Sequence, residues 1–362
     1  PYFVFDRDEV TLSACCRLRT TIDDDYMIKH PESMRFCGFQ NITVNLPQCA
    51  FRAGQGNEEK FYEEVERMID LAIQAHLDKR SFIQQLMSAP HLPLWEIGKE
   101  ARDGRPYVDL DQATYIVGLV GLNECLHYLT GHELHESDDM VKQGLRVISF
   151  MHKKLKKEGE RLNMKFTLEE SPAESATRRM AKVDMKRFPF AKNYMRGSLE
   201  DDEMYYTNSI HLRADAPVDL VKRIQTQSKF HRLIESGAMI HAFVGEQQPP
   251  WQSITALVRK TFDKTNAAQL TISPEFTVCA ACSRTSRGLH EACPECESTE
   301  VTGMTRIVGY FSRVTNWNKS KIGELKDRQK GDYMVMTGPE EPTDTQHRNE
   351  TPVIPGIIGA AE

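Results

Sequence analysis

No apolar run in this 362-residue chain approaches the roughly 20 residues that a helix needs to cross a bilayer. No cationic, apolar leader precedes the globular sequence, so the cytoplasm is the expected compartment and no membrane partner is expected. Positive charge is not in excess. Lys and Arg number 46 against 52 Asp and Glu, and the net charge of −6 gives no support for broad binding to a phosphate backbone. No internal repeat divides the chain. Cysteine is sparse, at nine, and Cys15 and Cys16 are adjacent, which suits a reducing compartment better than a disulfide scaffold. There is no initiator Met. The opening at Pro1 leads to the expectation of a start inside a larger polypeptide, or of a processed or split product.

What is present is concentrated near the C-terminal end. Cys279/Cys282 and Cys293/Cys296 form two C-x-x-C pairs joined by the short polar linker SRTSRGLHEA. Each pair places two sulfurs on one tight turn, and two such turns supply a closed tetrahedral thiolate set. Pro294 favours the second turn. The competing readings are two disulfides or four unrelated thiols. A closed four-thiolate zinc site has no open position, so it braces structure and performs no zinc chemistry. His290, in the linker, is expected to be exposed rather than a ligand. Just downstream lies TRIVGYF, with Gly309 at its centre; by itself this string reads as a turn or strand glycine.

The chain alternates helices and short strands. PYFVF and Ile42–Leu46 read as strands, the second ended by Pro47. A long helix follows Gly56, with Asn57 as its cap and Phe61, Val65, Met68, Ile69, Ala72 and Ile73 as an apolar stripe. Ser137 caps another, with Met140, Val141, Leu145, Ile148, Met151 and Leu155 facing the core. Pro217 is expected to begin a helix, Ala238–Gly245 to form a strand, and Ile254 to Phe262 to lie on a further helix. The alternation gives an α/β class without choosing between barrel and open sheet.

The ordered set PYFVFDR, CCRLR, NITVNLP, VGLNECLHYLTGHELHE, EESPAESATRRMAKVD, YYTNSIHL, TISPEFTVC, the double C-x-x-C, RIVGYF and WNKSKIGELKDRQKGDY resembles anaerobic, class III ribonucleotide reductases, which are glycyl radical enzymes. The resemblance runs through nearly the whole chain. It implies the second half of a ten-stranded α/β barrel with a finger loop, and a small C-terminal zinc-knuckle and glycyl radical domain. The corresponding divisions are residues 1–270, with the finger loop near 6–36, then 271–333, and a flexible tail at 334–362. The N-terminal half-barrel would be missing, supplied by an absent segment or a separate chain, so this polypeptide alone is expected to be catalytically incomplete.

The resemblance also assigns chemistry. Gly309 would hold the stored radical: lacking a Cβ, its Cα can flatten and share the unpaired electron with both flanking amides. The family often has Cys, Ser or Thr before this glycine, where this chain has Val308. Cys16 would relay the radical to the substrate's 3′ carbon, with Cys15 as the neighbouring alternative. Asn41 would assist departure of the 2′ hydroxyl, with Asn45 as competitor. Ser171, Pro172, Ala173, Glu174, Ser175, Ala176 and Thr177 would face substrate phosphates from a helix N-terminus capped by Ser171, with Pro172 in its first turn; the plainer reading is an ordinary capped helix. Thr207, Asn208 and Ser209 would be further neighbours of the substrate. The implied partners are ribonucleoside triphosphates, formate as reductant, and a radical-SAM activase carrying S-adenosylmethionine and an iron–sulfur cluster. A homodimer is also implied, and no direct nucleic-acid contact.

Alternatives remain at this point. One is a different glycyl radical enzyme of formate-lyase or decarboxylase type; another is a non-catalytic zinc-ribbon module that binds nucleic acid. HELHE at His132–Glu136 lacks H-E-x-x-H order and reads as a loop or helix start. Cys37, Cys49 and Cys125 read as structural, and the glycines of VGLVGLNEC as packing positions. Lys319, Lys321, Lys326, Arg328 and Lys330 read as a solvated basic face or as a docking surface for the activase.

Overall fold

A computed structural model describes residues 2–6, 11–13, 18–22, 24–33, 35 and 37–334. The chain opens with β1 (Tyr2–Val4), followed by β2 (Thr11–Ser13) and β3 (Arg19–Thr21). β2 and β3 pair antiparallel with Thr11 opposite Thr21. Cys15 and Cys16 fall between them in sequence and lie outside the described residues, as does nearly all of the 334–362 tail. A short helix, α1 (Asp25–Lys29), is capped by Asp24, whose carboxylate accepts from the Tyr26 and Met27 amides at 2.8 and 3.0 Å.

The main layer then forms. β4 (Gly38–Asn45) turns directly into α2 (Leu46–Ala53), and α3 (Glu58–Met87) follows behind its Asn57 cap. Next come β5 (Thr114–Val120), α4 (Leu122–Thr130), α5 (Asp138–Leu162) and β6 (Lys165–Glu170). Strands β4, β5 and β6 lie side by side and parallel. Alternation decides which face is buried by helices. Ile42, Val44, Val117, Leu119 and Leu168 share one core with Phe61, Val65 and Ile69 of α3 and Ile148, Met151 and Leu155 of α5. Asn41, Thr43, Gly118, Thr167 and Glu169 occupy the alternate positions together with Ile116 and Val120, so one face is apolar and the other predominantly polar. Ser137 caps α5 through the Met140 amide at 3.2 Å, as expected, and HELHE lies in the loop before it.

Around β4 the boundaries differ from the sequence expectation. Strand β4 starts four residues before Ile42, with a register irregularity between Gly38 and Gln40. Pro47 does not merely stop a strand: Asn45 accepts the Gln48 amide at 3.2 Å and caps α2, which places Pro47 in that helix's first turn, where no amide is needed.

After β6 come α6 (Ala176–Arg187), α7 (Leu220–Gln227), β7 (Ile240–Gly245), α8 (Trp251–Lys264) and β8 (Gln269–Pro274). β7 and β8 are parallel, and β1 closes the outer edge antiparallel to β8. The segment entering β7 runs alongside β6 in the same sense, with Ser236 N–H donating to Leu168 O (2.9 Å) and Glu170 N–H to Gly237 O (3.0 Å). Five strands thus follow one another in a single direction, β4 to β8, and the α/β class is as expected. Helix α7 begins at Leu220 behind an Asp219 cap, not at Pro217; the Val218 amide is turned back onto Ala216 O at 2.7 Å, which keeps Pro217 outside the helix.

The C-terminal unit is antiparallel: β9 (Phe276–Cys279), β10 (Thr285–Arg287), β11 (Val301–Arg306) and β12 (Phe311–Arg313), in the order β10-β9-β11-β12. It ends in α9 (Lys319–Lys330), and Ile307, Val308, Trp317 and Leu325 make a small apolar cluster under it. Among the described residues, no helix is long and apolar enough to cross a membrane.

Candidate functional site

The four paired cysteines converge. Cys279 ends β9, and the other three sit in the turns that follow, with all four sulfurs within 4.8 Å of one another. Cys279 Sγ lies 3.6 Å from Cys296 Sγ, and Cys282 Sγ 3.7 Å from Cys293 Sγ. A disulfide needs about 2.05 Å, so these are four free thiols. A tetrahedron with Zn–S bonds of about 2.3 Å has an S–S edge of about 3.8 Å, close to the spacing found. Amides of Glu295 and Cys296 aimed at Cys293 lower its thiol pKa, while the crowded neighbouring sulfurs raise that of Cys296, so without a metal the four sulfurs share protons unequally. The donor set therefore fits a closed structural zinc site. His290 is outside it and half-buried rather than exposed, with Nε2 on the Arg287 carbonyl at 2.5 Å.

β11 and β12 leave the metal cluster as a hairpin whose connection is residues 307–310. Ile307 N–H donates to Tyr310 O at 3.1 Å, and the Arg306 guanidinium donates to the Gly309 carbonyl. Gly309 is half-buried, Val308 buried, and Tyr310 exposed. The Tyr310 hydroxyl donates to Glu174 Oε1 at 2.9 Å, and Asn318 Nδ2 donates to Glu174 O at 3.0 Å. The candidate radical loop and the candidate phosphate loop are thereby held together.

The residues expected around the substrate sort into two groups. On the polar sheet face, Asn41 donates to Glu169, while its carbonyl accepts from Thr43 Oγ1 (3.0 Å) and Ser171 Oγ (3.4 Å). Gly118 leaves room at the centre of this face: a Cβ there would meet the Asn41 amide and the Ser171 hydroxyl. Asn45 is elsewhere. It caps α2, and its Nδ2 donates to Asp184 Oδ2 at 2.7 Å, where Gln48 and Tyr206 also donate. Burial raises the Asp184 pKa, and these three donors oppose the shift. The two asparagines are thus distinguished by their surroundings.

The 171–177 segment corrects one detail. Ser171 caps no helix and Pro172 is in no helical first turn; α6 starts at Ala176, with Ser175 at the cap position making no side-chain bond. The reason is local: the Ala173 and Glu174 amides turn back onto Ser171 O (2.8 Å) and Pro172 O (3.0 Å), so the chain makes tight turns before the helix. Ser175 is exposed and Ala176 half-buried, and the buried Thr177 hydroxyl has no hydrogen-bond partner among the described residues. Asn208, oriented to satisfy both ends of its amide, donates to Ala173 O (3.2 Å) and accepts from Lys321 Nζ (3.3 Å). A cavity of about 30 Å³, enough for a water, is lined in part by Asn208, His211, His241, Val308 and Arg328.

The basic cluster on α9 is not one solvated face. Lys319, Lys326 and Lys330 are exposed, but Lys321 and Arg328 are buried against Glu324, at 2.6 and 2.5 Å. Burial raises the Glu324 pKa, but the two cations outweigh it and hold the carboxyl down at about 2. Glu324 stands three residues after Lys321 and four before Arg328, a spacing that could have revealed the cluster. Glu124 was also missed. It is fully buried on α4, accepts from Thr207 Oγ1 at 2.5 Å, and is pushed up to about 7 by burial.

A sequence profile described as anaerobic ribonucleoside-triphosphate reductase matches residues 1–330. The chain belongs to that family. Curated relatives named anaerobic ribonucleoside-triphosphate reductase are 25% identical over 207 residues in Enterobacteria phage T4, covering 54% of this chain and 31% of the relative. In Haemophilus influenzae the identity is 21% over 308 residues (80% and 42%), and in Escherichia coli K12 it is 21% over 316 residues (80% and 42%). This chain therefore spans less than half the length of these family members. A solved anaerobic ribonucleotide reductase superposes with a TM-score of 0.65 at 23% identity, covering 82% of this chain and 45% of that one. The Thermotoga maritima enzyme in complex with dATP and CTP gives 0.63 at 22%, covering 78% and 44%. The fold is shared with these family members.

Proposed function

We propose that this chain takes part in anaerobic reduction of ribonucleoside triphosphates by glycyl and thiyl radical chemistry, as the catalytic half-barrel and radical unit of such an enzyme. One observation carries the reading. A family match over residues 1–330 coincides with a hairpin turn containing Gly309, rooted beside a four-thiolate cluster and tied by Tyr310 to the Glu174 loop.

In this reading Gly309 stores the unpaired electron and Cys16 presents the thiyl to substrate. The sulfur takes the 3′ hydrogen, the 2′ hydroxyl leaves as water after gaining a proton, and the thiol returns the hydrogen to the 3′ carbon at the end, restoring the thiyl. Formate supplies two electrons and departs as carbon dioxide, so the ribose loses one oxygen. Asn41 is the hydrogen-bonding residue at the ribose, supported by its place on the polar face beside Gly118, Thr43 and Ser171. Residues 171–177 hold phosphate oxygens, supported by the start of α6 at Ala176 and the unpartnered Thr177 hydroxyl. Cys279, Cys282, Cys293 and Cys296 hold a structural zinc. Five parallel strands are half of the proposed ten-stranded barrel, and the partner set is a radical-SAM activase and a second copy in a cytoplasmic homodimer.

Anaerobic treatment with the activase, S-adenosylmethionine and a reductant, followed by oxygen, is the test. Mass spectrometry should find backbone cleavage at Gly309. An intact chain after confirmed turnover of S-adenosylmethionine would overturn the radical assignment.

A further inference from the structure

Arg328 is 4% exposed and lies near the end of α9. Its Nη1 donates to the Arg306 carbonyl and its Nη2 to the Ile307 carbonyl, both at 2.7 Å. Nε and Nη2 also grip Glu324 Oε1, at 3.1 and 2.5 Å. The guanidinium carbon stands 4.2 Å from the ring centre of Phe243 on β7 and 5.6 Å from that of Trp317. Trp317 in turn donates Nε1–H to Ser312 Oγ on β12 at 2.7 Å. One planar side chain thus reaches the parallel sheet, the C-terminal helix and the two successive carbonyls, of Arg306 and Ile307, that lead up to Val308.

We propose that Arg328 is the positioning residue of the 306–310 turn, fixing where Gly309 is presented to the interior. Two adjacent peptide planes held by one rigid fork lose most of their freedom, and the Ile307–Tyr310 backbone bond closes what remains. Lysine cannot substitute: an ammonium is a point charge without a planar fork, and it cannot serve two carbonyls, a carboxylate and a ring face in this geometry. Glu324 keeps the guanidinium paired, and Phe243 joins the clamp to β7. The significance of the clamp for catalysis rests on the radical reading of Gly309; its mechanical action does not.

The test is amide hydrogen exchange on the full, unactivated chain, comparing wild type with Arg328→Lys and Arg328→Ala. Exchange across 307–310 should rise about tenfold or more in Arg328→Lys, the scale of losing charged hydrogen bonds, with the zinc strands β9 and β10 unchanged. Methylguanidinium at sub-denaturing concentration should restore protection in Arg328→Ala, which a general loss of folding would not permit. If Arg328→Ala does not fold, Arg328→Lys decides alone. Equal exchange at 307–310 in Arg328→Lys and wild type would overturn the proposal. A separate arm activates both proteins anaerobically and follows the spin signal, which should decay faster in Arg328→Lys. Absence of any signal in wild type would refute the radical reading, while the exchange result would still decide the clamp.

Discussion

Tyr310, the residue immediately after Gly309, donates its hydroxyl to Glu174 Oε1 at 2.9 Å, across 136 positions of sequence. This bond joins the hairpin turn of the C-terminal unit to the loop that leads into α6. Tyr310 is 44% exposed, so the bond contributes modestly. Tyr310→Phe and Glu174→Ala should each cost about 0.5–1 kcal/mol in urea unfolding, and the double variant should cost less than their sum. Strict additivity would mean that the two side chains act independently.

The thiolate cluster predicts one tightly held zinc per chain. Cys293→Ser should lower zinc content towards zero by elemental analysis and reduce stability by several kcal/mol, because metal binding is coupled to folding of this small sheet. Full zinc retention in that variant would contradict a four-sulfur site.

Asn41 and Asn45 should respond in opposite ways. Asn45→Ala removes a helix cap and leaves the buried Asp184 short of a donor, so a loss of about 2–4 kcal/mol is expected by chemical denaturation. Asn41→Ala should cost about 1–2 kcal/mol, yet lower nucleotide reduction by about a hundredfold when assayed in the assembled enzyme. Normal turnover by Asn41→Ala would remove it from the ribose site.

Glu124 predicts a pH dependence. Burial raises its folded pKa from 4.5 to about 7. The folded state therefore binds the proton more tightly than the unfolded state, and this contribution is fully present below pH 4.5. It is lost as pH rises through about 7, a change of about 3 kcal/mol at most. Glu124→Gln should consequently gain stability relative to wild type between pH 5 and pH 8. A pH-independent difference between the two proteins would contradict the buried, protonated carboxyl.

Much of this was legible in the sequence, and the reasons are local. The C-x-x-C pairs fix sulfur geometry within a few residues, and Asn57 and Ser137 cap the helices that they precede. The periodic stripes of α3 and α5 identify the core face directly. What was not legible depends on contacts far apart in the chain. Asn41 and Asn45 share a face of β4, and only Asp184, more than a hundred residues on, separates a staple from a candidate ligand. Arg328 looked solvated because a surface charge and a buried clamp have the same composition. The difference is made by the Arg306 and Ile307 carbonyls and by Phe243. The cap at Ser171 failed because turns within 171–174 displace the start of α6, something a Ser-Pro pair does not reveal.

Electron spin resonance after anaerobic activation tests the central claim most directly. The account predicts an organic doublet that persists in the absence of oxygen, loses its main splitting when the Gly309 Cα carries deuterium, and is absent from Gly309→Ala. A doublet of undiminished splitting in either the deuterated protein or Gly309→Ala would contradict it.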